Sequence, residues 1–197
     1  MKYQIIYADP PWSYNDQGCR GTMANHYAGM KLEDIKALPI KDIASENSVL
    51  FLWATFPMIQ EALETIQAWG FEYKTIGFLW VKLNPNSMGA FFGLGRWTRG
   101  NTEPCLLAVR GKPQRVSKGV FQLLMTPRQE HSKKPSEIRE RVVRLMGDLP
   151  RIELFARQKV EGWDCWGNEV QSDVVLVPIT EAECLNGDTE AQQGTLV

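Results

Sequence analysis

A chain of 197 residues has room for one domain of ordinary size or two small ones. Hydrophobic residues at 44% and charged residues at 23% exclude a wholly disordered or collagen-like chain. The formal charge of −1 is uninformative, but its distribution is not. Between Arg96 and Lys159 fifteen basic residues stand against six acidic ones, with seven against seventeen elsewhere. That middle segment is a candidate footprint for nucleic acid or an anionic cofactor; the solvated face of a helix is the alternative source of Arg139, Arg141 and Arg144.

In chain order, Tyr3 to Ala8 is short, β-branched and aromatic, and stops at Asp9-Pro10-Pro11, as a buried strand delivering a rigid loop would. Ser13 to Met30 is polar and glycine-containing, so a loop is expected. Leu32 to Ala37 fits a short helix before Pro39. Ser48 to Ala54 is an almost continuous apolar run, the pattern of a central strand covered on both faces. From Pro57, Ile59, Ala62, Leu63, Ile66 and Trp69 recur at helical spacing until Gly70. Tyr73 to Val81 returns as a strand, Asn84 to Asn101 as a glycine-rich loop, and Cys105 to Val109 as a strand ending in a turn at Gly111. Pro135 opens a helix with Ile138, Val142, Leu145 and Met146 on one face, closed by Gly147 and Pro150. Arg151 to Phe155 is the next strand.

Beyond about Pro178 the chain is polar and aperiodic. One domain over residues 1–178 and a frayed tail over 179–197 are the expected organisation. Alternating strand and helix patterns predict an α/β architecture around a mostly parallel sheet, with ligands at the carboxyl ends of its strands. No run approaches the roughly eighteen apolar residues of a membrane span. The opening stretch is too short for an export signal, so a cytoplasmic protein is expected.

Cys19, Cys105, Cys165 and Cys184 are scattered, and the two histidines, His26 and His131, do not stand at ligand spacing. Free thiols, and no metal site, are expected. His131 reads as a supporting or surface residue.

Asp9-Pro10-Pro11-Trp12 carries the most chemistry. Two prolines fix φ and remove two donors, so the carbonyls and flanking side chains are held stiffly. A carboxylate, a rigid carbonyl and an aromatic plate suit capture of a planar amine. The exocyclic nitrogen of adenine is a poor nucleophile because its lone pair is delocalised; hydrogen bonds to Asp9 and the Pro10 carbonyl would favour the localised form, with Trp12 against the base. The bland alternative has Asp9 capping local amides and Trp12 packed in the core.

The tetrapeptide after a strand resembles the signature of the MT-A family, that of the catalytic subunit of the eukaryotic messenger-RNA N6-adenosine methyltransferase and its bacterial and phage relatives. Further segments follow in order. His26-Tyr27-Ala28-Gly29-Met30 is similar to the family's H-Y-x-x-M, and LFLW at 50–53 and FLWVK at 78–82 resemble two strands. Residues 95–109 resemble its G-x-W-x-R-x-x-x-E-x-C-L segment, SKKPSEI at 132–138 its S-x-K-P-x-E-I, and ELFAR at 153–157 with Gly167-Asn168-Glu169 complete the set.

The resemblance implies a Rossmann-like S-adenosylmethionine-dependent methyltransferase fold in permuted motif order, and methyl transfer from S-adenosyl-L-methionine to adenine N6. By position, Asp9, Pro10, Pro11 and Trp12 would form the catalytic loop. Asp9 and Pro11 would also touch the cofactor, Ser132 and Lys134 would hold its methionine part, Glu153 and Arg157 would lie by its ribose, and Asn168 and Glu169 by its adenine. Trp12, Tyr27, Arg99 and Glu103 would line the acceptor pocket.

The residues themselves leave alternatives open. Lys134 before Pro135 suits a carboxylate or solvent; Glu153 suits two hydroxyls or a strand edge. Arg157 suits planar acceptors or a surface ion pair, and Gly167-Asn168 is also a common turn pair. Members of that family commonly carry an acidic segment upstream of the first strand, and its eukaryotic members long N-terminal extensions; neither of these, nor a zinc finger, is expected here. That favours a bacterial or phage enzyme acting on DNA, in which Asn168 and Glu169 serve adenine alone. RNA as substrate and a non-catalytic nucleic-acid-binding subunit are the competing expectations, with a homodimer as a candidate assembly.

Overall fold

The computed structural model of the chain describes residues 2–12, 30–87, 89–93, 95, 97–128 and 133–178. Its centre is a seven-stranded sheet built from β1 (Tyr3–Ala8), β2 (Ala44–Trp53), β3 (Glu72–Leu83), β4 (Thr102–Arg110), β5 (Leu123–Pro127), β6 (Arg151–Leu154) and β7 (Asp164–Trp166). The order is β5-β3-β4-β2-β1-β6-β7, and β4 runs antiparallel to both neighbours while every other pairing is parallel. This is the expected α/β architecture with a mostly parallel sheet.

Period-two alternation sorts each central strand onto two apolar faces. Ile6, Ala8, Leu50 and Leu52 face α1 (Leu32–Lys36), α2 (Ile40–Ile43) and α3 (Ile59–Ala68), whose Ile35, Ile40, Ala62 and Ile66 are buried against them. Ile5, Tyr7, Val49, Phe51 and Trp53 face α4 (Glu137–Met146) through its Ile138, Val142 and Met146. Burying the apolar surface of each such side chain contributes about 1.5–3 kcal/mol, which is what fixes the register. The layers are helix, sheet, helix.

Helix ends follow their stop signals. Pro57 starts a 3₁₀ turn over Phe56–Met58 that continues as α3. Gly147, at φ 92°, closes α4 in a conformation that a side chain disfavours. Strand β2 starts four residues earlier than its apolar run, because Ala44 already pairs with Tyr3 and the partly or wholly exposed Ser45 to Asn47 fall in the register shift before Val49 pairs with Ile5. The expected tail over 179–197 lies outside the described residues. Among those residues, no helix is long and apolar enough to cross a membrane.

The topology places one gap of consequence. From β1 the chain crosses one face through α1 and α2 to reach β2, whereas β6, on the other side of β1, follows α4 on the opposite face. The strand order therefore switches direction between β1 and β6, and a crevice opens at their carboxyl ends.

Candidate active site

A cavity of about 310 Å³ lies in that crevice, lined by Asp9 to Trp12, Met30, Ala54, Thr55, Glu103, Lys134, residues 155–157 and residues 166–169. Of the residues singled out from sequence, Asp9, Pro10, Pro11, Trp12, Glu103, Lys134, Arg157, Asn168 and Glu169 are brought to this one wall system, from segments up to 160 positions apart. Tyr27, Ser132 and His131 lie outside the described residues. Arg99 does not line the cavity; its guanidinium sits 4.4 Å over the exposed Phe92 ring.

Asp9 follows β1 directly. The Lys134 ammonium donates to both of its carboxylate oxygens at 2.8 Å, and stands 3.5 Å from the Glu103 carboxylate on β4. Lys134 also lies 5.4 Å from the centre of the Trp53 ring. Burial acts most strongly on Asp9 and raises its carboxyl above the ordinary range, against the pull of Lys134. For Lys134, burial works to release the proton, but Asp9 and Glu103 overcome it and hold the ammonium above the usual lysine range. The pair is thus a carboxylate primed to accept, backed by a cation that keeps its charge.

The proline loop is tied down from within. The Trp12 amide donates to the Pro10 carbonyl at 2.8 Å, so one lone pair of that carbonyl is occupied and one is left. The Trp12 indole donates to the Trp53 carbonyl at 2.9 Å, and 6% of the residue is exposed. Trp12 therefore both packs in the core and shows an edge to the cavity. Below, the Trp53 indole donates to the Tyr7 hydroxyl at 2.6 Å, and burial lifts that hydroxyl far above its normal range.

Glu153 lies on β6 beneath the cavity and not in its lining. Arg139 of α4 clamps it through two bonds, Nε to Oε2 at 2.7 Å and a terminal nitrogen to Oε1 at 2.6 Å. Arg139 is thus turned inward under the Tyr7 ring rather than lying on the solvated face of its helix. Arg141 and Arg144 are likewise engaged, donating to the carbonyls of Phe121 and Leu123 and of Gly119.

The opposite wall is shaped by backbone. Phe155 carries φ 61°, uncommon for a bulky residue, and meets Trp166 edge-on at 5.3 Å. The Ala156 amide donates to the Trp166 carbonyl at 2.9 Å, which draws the turns after β6 and β7 together. A Cβ at Gly167 would stand 2.2 Å from the Ala156 carbonyl oxygen, so this close approach requires glycine and presents Asn168 and Glu169 to the cavity. Arg157 Nε lies 3.7 Å from a Glu169 oxygen. Sequence reasoning missed Phe155, Trp166, Met30 and Thr55 as wall residues; Phe155 sat inside a quoted motif, whereas nothing about the isolated Thr55 signalled its place.

The lining suits S-adenosyl-L-methionine chemically. It offers a carboxylate and an ammonium for an amino-acid end, the aromatic surfaces of Phe155 and Trp166, and an amide with a carboxylate for an adenine edge. Among the described residues, no cluster of histidine, cysteine and acidic side chains could hold a metal ion.

Fold and site together define a Rossmann-like methyltransferase: a mostly parallel sheet with a mixed polar and aromatic cavity at its switch point. A family profile described as MT-A70 matches residues 3–169. The chain is 34% identical to the type II methyltransferase M.MunI of a Mycoplasma species, the match covering 90% of this chain and 82% of that protein. It is 29% identical to the human N(6)-adenosine-methyltransferase catalytic subunit METTL3, over 90% of this chain and 30% of that protein, and 27% identical to an Arabidopsis thaliana N(6)-adenosine-methyltransferase MT-A70-like protein, over 85% and 24%. The chain belongs to the MT-A70 family and is a methyltransferase.

Proposed function

We propose that the chain transfers the methyl group of S-adenosyl-L-methionine to N6 of an adenine in DNA. One observation carries this reading: Asp9, held by Lys134 on both oxygens, stands beside the half-free Pro10 carbonyl at the mouth of the switch-point cavity. Two acceptors fixed at that corner match the two hydrogens of an exocyclic amine.

When bound, the cofactor supplies an electrophilic sulfonium methyl. Asp9 and the Pro10 carbonyl accept the amine hydrogens and turn the nitrogen lone pair out of conjugation. The Trp12 edge fixes the plane of the base, and the surplus proton leaves after transfer. Neutral nitrogen attacking a cation disperses charge, so positioning outweighs acid–base work. Lys134 holds the methionine carboxylate while it supports Asp9. Arg157 with Glu169 serves the ribose side, and Asn168 the adenine edge. Glu153 reaches the ribose only by giving up one bond to Arg139.

Nucleic acid is supported by exposed cations on the same edge of the sheet. Arg99 and Arg128 lie over Phe92 and Phe91, each at 4.4 Å, and Lys133 and Arg157 are exposed beside the cavity. DNA is favoured over RNA because the chain is more similar to the type II methyltransferase M.MunI, at 34% identity, than to METTL3, at 29%. Incubation with labelled cofactor and matched DNA and RNA oligonucleotides, followed by nucleoside mass spectrometry, tests this. N6-methyladenine in the DNA digest is expected. N6-methyladenosine confined to RNA would move the substrate, and N4-methylcytosine or no product would overturn the reaction.

A further inference from the structure

We propose that Lys82, at the carboxyl end of β3, is a positioning residue that engages Glu103 and so leaves the Lys134 ammonium committed to Asp9. The proposal rests on Asp9 being the acceptor for the substrate amine.

The four side chains form a run of alternating charge. Lys82 Nζ contacts Glu103 Oε1 directly; Glu103 Oε2 is 3.5 Å from Lys134 Nζ; Lys134 bonds both Asp9 oxygens at 2.8 Å. None of the four side chains is more than 26% exposed. Glu103 stands between two ammonium groups and makes its closer contact with Lys82. Strands β3 and β4 pair with Trp80 opposite Glu103, which brings Lys82 and Glu103 onto the face that carries Tyr7 and Trp53.

Lys82 is anchored on every side. Its amide donates to the Asn101 carbonyl at 2.7 Å, and its carbonyl accepts from the Phe91 amide at 2.9 Å. Its ammonium lies 5.1 Å from the centre of the Trp80 ring, whose indole donates to the Thr126 carbonyl. The backbone bonds fix where the side chain starts, and the Trp80 ring flanks the ammonium beside Glu103.

Charge balance gives the contact its purpose. With Lys82, two cations face two carboxylates. Without it, Asp9 and Glu103 compete for one ammonium, Lys134 is drawn toward Glu103, and Asp9 holds a proton to higher pH. The other groups facing Asp9 are Cys105 on β4, Arg157 after β6 and Arg139 on α4. Burial keeps the Cys105 thiol neutral, and the arginines keep their charge throughout. Only the Lys82–Glu103 pair changes in the comparison.

The test is a titration of Asp9 Cγ by NMR in protein carrying 13C-labelled aspartate, assigned with Asp9→Asn. Lys82→Met should move the Asp9 midpoint to higher pH and Lys82→Arg should restore it. In a Glu103→Gln background the effect of Lys82→Met should shrink or vanish. In turnover assays Lys82→Met should lower kcat/KM about tenfold at pH 6 and leave it within about twofold at pH 9. An unmoved midpoint, or the same shift with and without Glu103, overturns the proposal. If Lys82→Met fails to fold, Glu103→Gln alone must lower the Asp9 midpoint, or the proposal is wrong. The titration needs no turnover, so the predicted shifts in a protein that does not methylate adenine would sink the proposed function while leaving the charge coupling from Lys82 through Glu103 to Asp9 standing, which keeps the two failures distinguishable.

Discussion

Two ion pairs of the same chemistry stand at the neighbouring strands β1 and β6 and differ in what can reach them. Asp9–Lys134 and Glu153–Arg139 each join a carboxylate at or beside the end of a parallel strand to a cation through two short bonds. Glu153 is sealed, with 7% of the residue exposed and both oxygens occupied, and it lines no part of the cavity. Asp9 lines the cavity, and the cation behind it is shared with Glu103. One pair is closed and the other is open to a third party. Access, not the number of bonds, separates the two pairs.

The largest expected effect breaks the open pair. Asp9→Asn keeps the shape of the side chain and removes the charge, and kcat should fall about 1,000-fold with the fold intact by circular dichroism. Near-normal turnover would show that Asp9 does not accept the amine. Breaking the closed pair should act on stability instead. Arg139→Met leaves the Glu153 charge buried and should cost about 3 kcal/mol in urea unfolding, with sinefungin affinity within about threefold of wild type in the folded protein. A large loss of affinity would put Glu153 back among the cofactor's ligands.

Lys134→Ala sharpens the contrast from the other side. It should weaken sinefungin binding about 30-fold by calorimetry, and an unchanged dissociation constant would remove Lys134 from the cofactor site. The smallest effect is expected on the outer face of α4. Arg141→Ala gives up two bonds to exposed carbonyls and should cost about 1 kcal/mol or less, with turnover preserved.

Much of the fold was legible because burial writes a period into the chain. β1, the apolar part of β2, β3, β4, α3, α4 and β6 all stand where alternation or helical spacing placed them. The elements that were not legible share a cause. β5 pairs at the sheet edge with Leu123 and Met125 exposed, and β7 has three residues, so neither displays an apolar pattern of its own. The four-residue α2 is too short for a helical period.

Asp9-Pro10-Pro11-Trp12 could be singled out in the sequence because a rigid, charged corner ends an apolar strand there, whereas Lys134 and Gly167-Asn168-Glu169 stood out through the family resemblance, their local patterns fitting a solvated lysine and a turn equally well. Helical spacing puts Arg139 beside the Ile138, Val142 and Met146 stripe and Arg141 and Arg144 further round the helix, but that Arg139 meets Glu153 and the other two meet loop carbonyls could not be read, since those partners come from other segments of the chain.

Local covalent chemistry is a property of the chain by itself: the stiffness of two prolines, the periodicity that makes strands and helices, and the residue types able to accept or donate. Which carboxylate meets which ammonium, which is left open, and that Lys82 stands behind Glu103 are decided by the pairing of β3 with β4 and by the switch point between β1 and β6. Coulomb energy depends on distance and on exclusion of water, and neither exists until distant segments are packed together.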